Sequence, residues 1–223
     1  MYKLLFIDEE QETFDHFKDY VDISSTKDKI EVLTQFPLED KDELIHLIYK
    51  INPDAVITDF MLNDIKESIE YNVPYNGVEL MEGFLAIRED FPFFVLTSFD
   101  DIAVGHSDDV NKVYIKNILH NDKEESKAKA KFLDRVISQI DHYKAKIKNA
   151  EDEILELIKL RENGESNIEN ERRLIDLDSF LENSVDKKYS IPKEYKSLSN
   201  TNKLDEILNR VDDLLKKVES NGK

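Results

Sequence analysis

The chain has 223 residues, no cysteine, and 49 acidic against 31 basic side chains, for a net charge of −18. Without cysteine, disulfides and thiolate metal sites are excluded, and the chain lacks the basic footprint of a nucleic-acid-binding domain. No run approaches the length needed to span a bilayer, and the N-terminus runs straight into an apolar strand pattern without a leader, so we expect a soluble, cytoplasmic protein with no membrane contact.

In chain order, the pattern predicts strands at 3–7, 30–34, 54–58, 93–97 and 112–116. Helices are expected near 10–22, 40–50 and 77–90, with a short one near 100–107. Pro37, Pro53 and Pro92 punctuate the joins. Apolar runs alternating with amphipathic stretches indicate an α/β unit around a buried parallel sheet.

Four of these runs end on residues that carry chemistry. Lys3 to Ile7 leads into Asp8 and Glu9, and Asp54 to Thr58 leads into Asp59. Phe93 to Leu96 leads into Thr97 and Ser98, and Lys112 to Ile115 into Lys116. In an open parallel sheet, reactive groups gather where the strands end. Three carboxylates brought together repel one another and need a counter-ion. Mg2+ suits such a set, because it takes one or two carboxylates together with waters and phosphate oxygens. Asp59 can then act as a nucleophile toward a phosphoryl group. Lys116 would neutralise charge on the transferred group, and the Thr97 hydroxyl would bond one of its oxygens.

At these residues the first 120 or so positions resemble the receiver domain of two-component response regulators. The resemblance implies a five-stranded, doubly wound, flavodoxin-like parallel sheet. Asp8 and Glu9 match the acidic metal pair and Asp59 the phospho-acceptor. Met61 matches the position whose backbone carbonyl ligates the metal. Thr97, Ser98 and Lys116 complete the match. A histidine kinase or phosphotransfer protein is the implied partner. Several positions depart from the family pattern. The matching glycine, Gly77, lies eighteen residues after Asp59, where the family has about eight, so a segment close to 65–76 reads as an insertion. Asn63 lies near the place of the family's proline after the acceptor, and Asn117 stands where the family has proline after the lysine. Val113 occupies the switch-aromatic position, with Tyr114 beside it.

The remainder, 121–223, reads as an all-α coiled-coil or helical region. Leu133, Val136, Ile140, Tyr143, Ile147, Ala150, Ile154 and Leu157 alternate at three- and four-residue spacing, an a/d seam that needs a cover. Its cover is left open: later helices of this chain, a second copy, or a foreign helix. Gly164 marks its end and Ser166 a cap for the next stretch, about 167–184. Residues Lys187 to Thr201 read as a loop, and 202–219 as a last helix.

Charge separates the two regions. Residues 1–120 carry 26 acidic and 10 basic side chains, a net of −16, and residues 121–223 carry 23 and 21, a net of −2. The Lys-rich pieces of the second region are interleaved with acids and read as solvated helix faces, so no nucleic acid is expected as partner. His142, two positions past Ile140, falls on the outer face as a surface histidine. His106 and Asp109, in Gly105 to Asp109, sit in a polar connection. Asn76-Gly77 reads as a turn before a helix.

The expectation is a signalling protein, not an enzyme: Asp59 accepts a phosphoryl group in a Mg2+-dependent reaction, and the helical tail carries the output to a protein partner or to itself. A scaffold built on a non-phosphorylated receiver-like domain is the alternative. A phosphohydrolase is disfavoured by Met61, which stands where such enzymes place an acid.

Overall fold

A computed structural model describes residues 1–63, 72–97, 113–115 and 126–198. The expected helices at 100–107 and 202–219, together with Ser98, His106, Asp109, Lys116, Asn117 and His120, lie outside the described residues. The chain divides into two compact units. One is Met1–Ala86 with Asp90–Lys144, and the other is Ile87–Glu89 with Ala145–Lys223.

The first unit is a parallel sheet flanked by helices. Its strands are β1 (Tyr2–Ile7), β2 (Ile30–Gln35), β3 (Ala55–Asp59), β4 (Phe93–Thr97) and a three-residue β5 (Val113–Ile115). They lie in the order β2-β1-β3-β4-β5, all parallel. Every residue of β3 and β4 is buried, as strands covered on both faces should be. The order reverses between β1 and β3, and in such sheets that is where a crevice opens at the strands' C-terminal ends.

Each helix of this unit follows from local signals. Helix α1 (Gln11–Asp22) buries Phe14, Phe17, Tyr20 and Val21, a single face at helical spacing. Phe6 of β1 stacks on Phe17 and meets Phe14 edge-on. Helix α2 (Lys41–Ile51) starts at Asp40, whose carboxylate accepts from the amides of Asp42 and Glu43. It stops at Asn52, which takes the left-handed conformation (φ 48°) just before Pro53. Helix α3 (Gly77–Leu85) opens with a complete capping box between Asn76 and Glu79. It ends at Leu85, five residues before the expected position 90, and Asp90 takes the left-handed conformation (φ 59°) ahead of β4.

The long amphipathic pattern forms one helix, α4 (Ser126–Glu162). Its seam is covered by two different surfaces of its own chain. Leu133, Val136 and Ile140 join the core built from Leu4, Phe6, Phe17, Ile57 and Leu96. Tyr143 meets Phe91 edge-on. The middle of the helix is also tied to the N-terminal end of the sheet. Tyr2 donates its hydroxyl to Asp141 at 2.9 Å, and Lys144 pairs with Asp54 at 2.6 Å. The Asp54 carboxylate also accepts the Lys3 amide at 2.7 Å.

In the second unit, Ala150 and Leu157 pack with Leu177 of α5 (Ile168–Asp186), flanked by Ile154, Leu174 and Phe180. Gly164, at φ 73°, makes the turn between the two helices. Pairs Arg173–Glu153 and Arg161–Glu171 show the helices running antiparallel. The cap of α5 is Asn167, which accepts from the Asn170 amide. Ser166 instead donates its hydroxyl to Glu171 at 2.8 Å. The segment after Asp186, expected as a loop, contains a 3-10 turn (Lys187–Tyr189) and helix α6 (Lys193–Leu198). Lys196 clips α6 onto α5 through Asp178 (2.6 Å) and Glu182 (2.8 Å).

Two outcomes follow. Ile140 is fully buried and Ile147 only partly, so Ile140→Ala should cost about 3 kcal/mol and Ile147→Ala roughly 1. Urea unfolding followed by circular dichroism measures both, and equal costs would contradict the split cover of the seam. The second outcome concerns acid. The hydrogen bond from Arg161 holds the Glu171 carboxyl below its ordinary 4.5, burial opposes it, and Ser166 adds to the lowering. A lowered folded-state value contributes stability above the ordinary value and loses it as pH falls through the lowered one. Glu171→Gln should therefore cost about 1 kcal/mol near neutrality, and its unfolding midpoint should converge with that of the native chain at low pH.

Candidate functional site

The sheet register builds the site. Ile7 of β1 lies opposite Thr58 of β3. Each strand then delivers its next residue, Asp8 and Asp59, to the same end of the sheet, and Glu9 follows. Carboxylate oxygens of Asp8, Glu9 and Asp59 all lie within 4.8 Å of one another. None of the three residues is more than 4 % exposed. At that spacing a pair of charges repels by roughly 3 kcal/mol in a medium of effective dielectric about 20. A set of hard oxygens so close and so buried fits a hard divalent cation, and these three residues could hold one.

Backbone groups fix the carboxylates in place. Asp8 Oδ1 accepts the Glu10 amide at 2.9 Å, a local turn that leads into α1. Asp59 Oδ2 accepts the Met61 amide, also at 2.9 Å. The Thr58 hydroxyl donates to the Asp59 carbonyl at 3.2 Å. Met61 thus holds the Asp59 side chain through its N–H.

Thr97 is buried at the C-terminal end of β4. Asp59 pairs with Leu96 in the register, so Thr97 lies one residue beyond, at the same edge of the sheet. The Phe60 amide donates to the Leu96 carbonyl at 2.8 Å and keeps the two strand ends together. Lys116 follows directly on β5 but lies outside the described residues. His142 is exposed on α4, with its ring near Ser138.

Gly77 has a larger part than a turn residue. Its amide donates to the Phe60 carbonyl at 2.9 Å. A Cβ at this position would lie 2.0 Å from the Asp59 carbonyl oxygen and 2.9 Å from the Thr58 methyl. Helix α3 thus starts pressed against the backbone that carries Asp59, and only glycine permits that approach. The sequence signals were the Asn-Gly step ahead of a helix and the match of Gly77 to a family glycine; the close approach follows from the fold.

The end of the segment 65–76 is anchored nearby. Val73 and Tyr75 are buried, and the Tyr75 hydroxyl donates to the Leu38 carbonyl ahead of α2. An open cleft of about 860 Å³ lies between these two stretches, lined by Glu39, Lys41, Glu43, Pro74 and Glu79 among others.

No protein family model matches the chain, and no curated protein matches it. Among solved structures it is similar to the crystal structure of the anti-anti-sigma factor PhyR from Bartonella quintana, at 11 % identity and a TM-score of 0.43. That similarity covers 66 % of this chain and 50 % of PhyR, so the chain spans half the length of that protein. It is also similar to the two-component response regulator RcsB, solved in complex with DNA, at 13 % identity and a TM-score of 0.39, covering 82 % of this chain and 91 % of the other. Among the described residues, no helix is long and apolar enough to cross a membrane.

The crowding of charge yields a direct test. Asp8→Asn combined with Glu9→Gln removes two of the three mutually repelling groups, and the metal-free protein should gain roughly 1–3 kcal/mol in stability. The rise in melting temperature that Mg2+ gives the native chain should shrink or vanish in the variant. A less stable variant with an unchanged Mg2+ response would refute a cation site built on these residues.

Proposed function

We propose that the first unit is a phospho-accepting receiver-type signalling domain, with Asp59 as the acceptor. The observation that carries this reading is the buried cluster of Asp8, Glu9 and Asp59, set by the β1–β3 register at the reversal of strand order. The order of the sheet and the chemistry of its C-terminal edge both support it. The chain takes up a phosphoryl group as a signal and does not turn over a substrate.

Asp59 supplies the nucleophilic oxygen. Its Oδ2 is already held by the Met61 amide, which fixes the plane of the carboxylate. One carboxylate oxygen attacks phosphorus, a new O–P bond forms, and the bond from phosphorus to the donor's leaving atom breaks: a P–N bond when the donor is a phosphohistidine, a P–O bond when it is acetyl phosphate. The imidazole nitrogen or the acetate oxygen departs with that electron pair. Asp8 and Glu9, with Asp59 and the Met61 carbonyl, are the residues that would hold Mg2+. When bound, the ion supplies positive charge against the phosphoryl oxygens. Thr97 is assigned to a hydrogen bond with a phosphoryl oxygen, and Lys116 to neutralising charge there. The donor is a histidine kinase or phosphotransfer protein, and the output passes through the helical unit to protein surfaces in the cytoplasm.

Incubation with acetyl phosphate and Mg2+, read on a phosphate-affinity gel, tests the proposal. A single retarded species should form, and chelator or Asp59→Asn should abolish it. Undiminished retardation of Asp59→Asn would move the acceptor elsewhere. Absence of retardation in the native chain would leave the receiver-like scaffold as the better description.

A further inference from the structure

Within the second unit, α4 and α5 bury Ala150, Leu157 and Leu177 between them. Beside that contact each helix carries a second apolar row. On α4 it is Ile147, Ile154 and Ile158, and on α5 it is Leu174, Leu181 and Val185. Both rows are spaced seven and then four residues apart, so each runs straight along its helix. At 3.6 residues per turn, both are displaced from the buried contact in the same rotational sense. In an antiparallel pair that puts them on one side of the hairpin, where they form the two walls of an apolar groove. The Arg173–Glu153 ion pair falls on the opposite side. Five of the six residues are half-buried, and Val185 is 57 % exposed. Two helices cannot close such a groove by themselves; a third apolar surface is needed.

The chain carries a segment that matches the groove. Residues 199–223 follow α6 and lie outside the described residues. In them Leu204, Ile207, Val211, Leu214 and Val218 alternate at three- and four-residue spacing. As a helix they would present an apolar row about 21 Å long, against about 17 Å for the wall from Ile147 to Ile158. The point of departure fits as well. Lys196, near the end of α6, pairs with Asp178 at 2.6 Å. Asp178 belongs to the α5 wall, four residues after Leu174 and three before Leu181. Helix α6 thus ends at Leu198 beside the rim of the groove, three residues before position 202. A tether this short holds the segment at an effective concentration on the order of millimolar. That gives it precedence over a second copy or a foreign helix of equal apolar match.

We propose that the groove between α4 and α5 is a binding site for an amphipathic helix, and that residues 202–219 of the same chain occupy it. The occupant closes a three-helix bundle within the second unit. Recognition is apolar: side chains at three-four spacing fill the groove, and polar residues such as Asn209 stay on the outer face. This seat does not depend on Asp59 accepting a phosphoryl group.

The chain has no cysteine, so introduced pairs report this contact cleanly in the full chain. Ile158→Cys is combined in turn with Leu204→Cys, Ile207→Cys, Val211→Cys, Leu214→Cys and Val218→Cys. Disulfide formation under mild oxidation is followed on non-reducing gels. At least one pair should close within a single chain at least about tenfold faster than the control pair, Ile158→Cys with Asn209→Cys, and light scattering should give the mass of one chain. Disulfides between chains, with twice that mass, would make the occupant a second copy and overturn the proposal. No pair faster than the control would also overturn it and leave the groove to a foreign helix. Ile147→Cys, in the same wall, replaces Ile158→Cys if circular dichroism shows that the latter chain has lost helix. Leu214→Asp probes the seat without altering α4 or α5, because a charge there resists burial. Trypsin should cut that variant at Lys203 and Arg210 at least about tenfold faster than the native chain. Equal cleavage rates overturn the proposal.

Discussion

The mutual repulsion of three buried carboxylates is the constraint around which the first unit is arranged. Apolar burial favours long strands ending together, and the β1–β3 register then leaves Asp8 and Asp59 side by side with nowhere to retreat. That arrangement opposes folding. It persists because strands buried on both faces contribute far more, at about 25 cal/mol for each Å² of apolar surface removed from water. The amides of Glu10 and Met61 then fix two of the carboxylates in the crowded geometry. A site of this kind spends stability from the core to hold charge in readiness.

Helix α3 depends on the same place. Its capping box satisfies the Asn76 and Glu79 amides, and the Gly77 amide is satisfied by the Phe60 carbonyl just past β3. The first residue of the helix thus lies against the strand end at a distance that a side chain would forbid. The residues between Asp59 and Gly77 lengthen the connection without displacing that contact. Tyr75 and Val73, buried at its close, return the chain to the point where Asn76 can start the helix.

The β/α alternation was legible because runs such as Ala55–Thr58 and Phe93–Leu96 are too apolar for any setting but a doubly covered sheet. The acidic cluster was legible because it needs only strand ends and their order. Other features were hidden for physical reasons. The spacing of Leu133 through Leu157 specifies a buried stripe but not what buries it, and a sheet and a helix satisfy it equally well. Ser166 and Asn167 are adjacent residues able to cap, and the choice turned on which side chain reached a first-turn amide. Helix α6 was masked by Pro192 and by polar composition; its hold on α5 comes from ion pairs that hydrophobic periodicity does not register.

The membership of Ile87–Glu89 in the second unit has a consequence for how such a protein can evolve. The polypeptide passes from one unit to the other at Ala86, returns at Asp90 and passes again at Lys144. A module encoded by one uninterrupted stretch can be cut out and joined to another partner by a single recombination. This helical unit cannot, because three of its residues are written into the middle of the gene segment for the α/β unit. Truncation after Lys144 would leave Ile87–Glu89 behind without the residues that hold it. The two units are thus inherited together, and changes in one are selected in the constant company of the other.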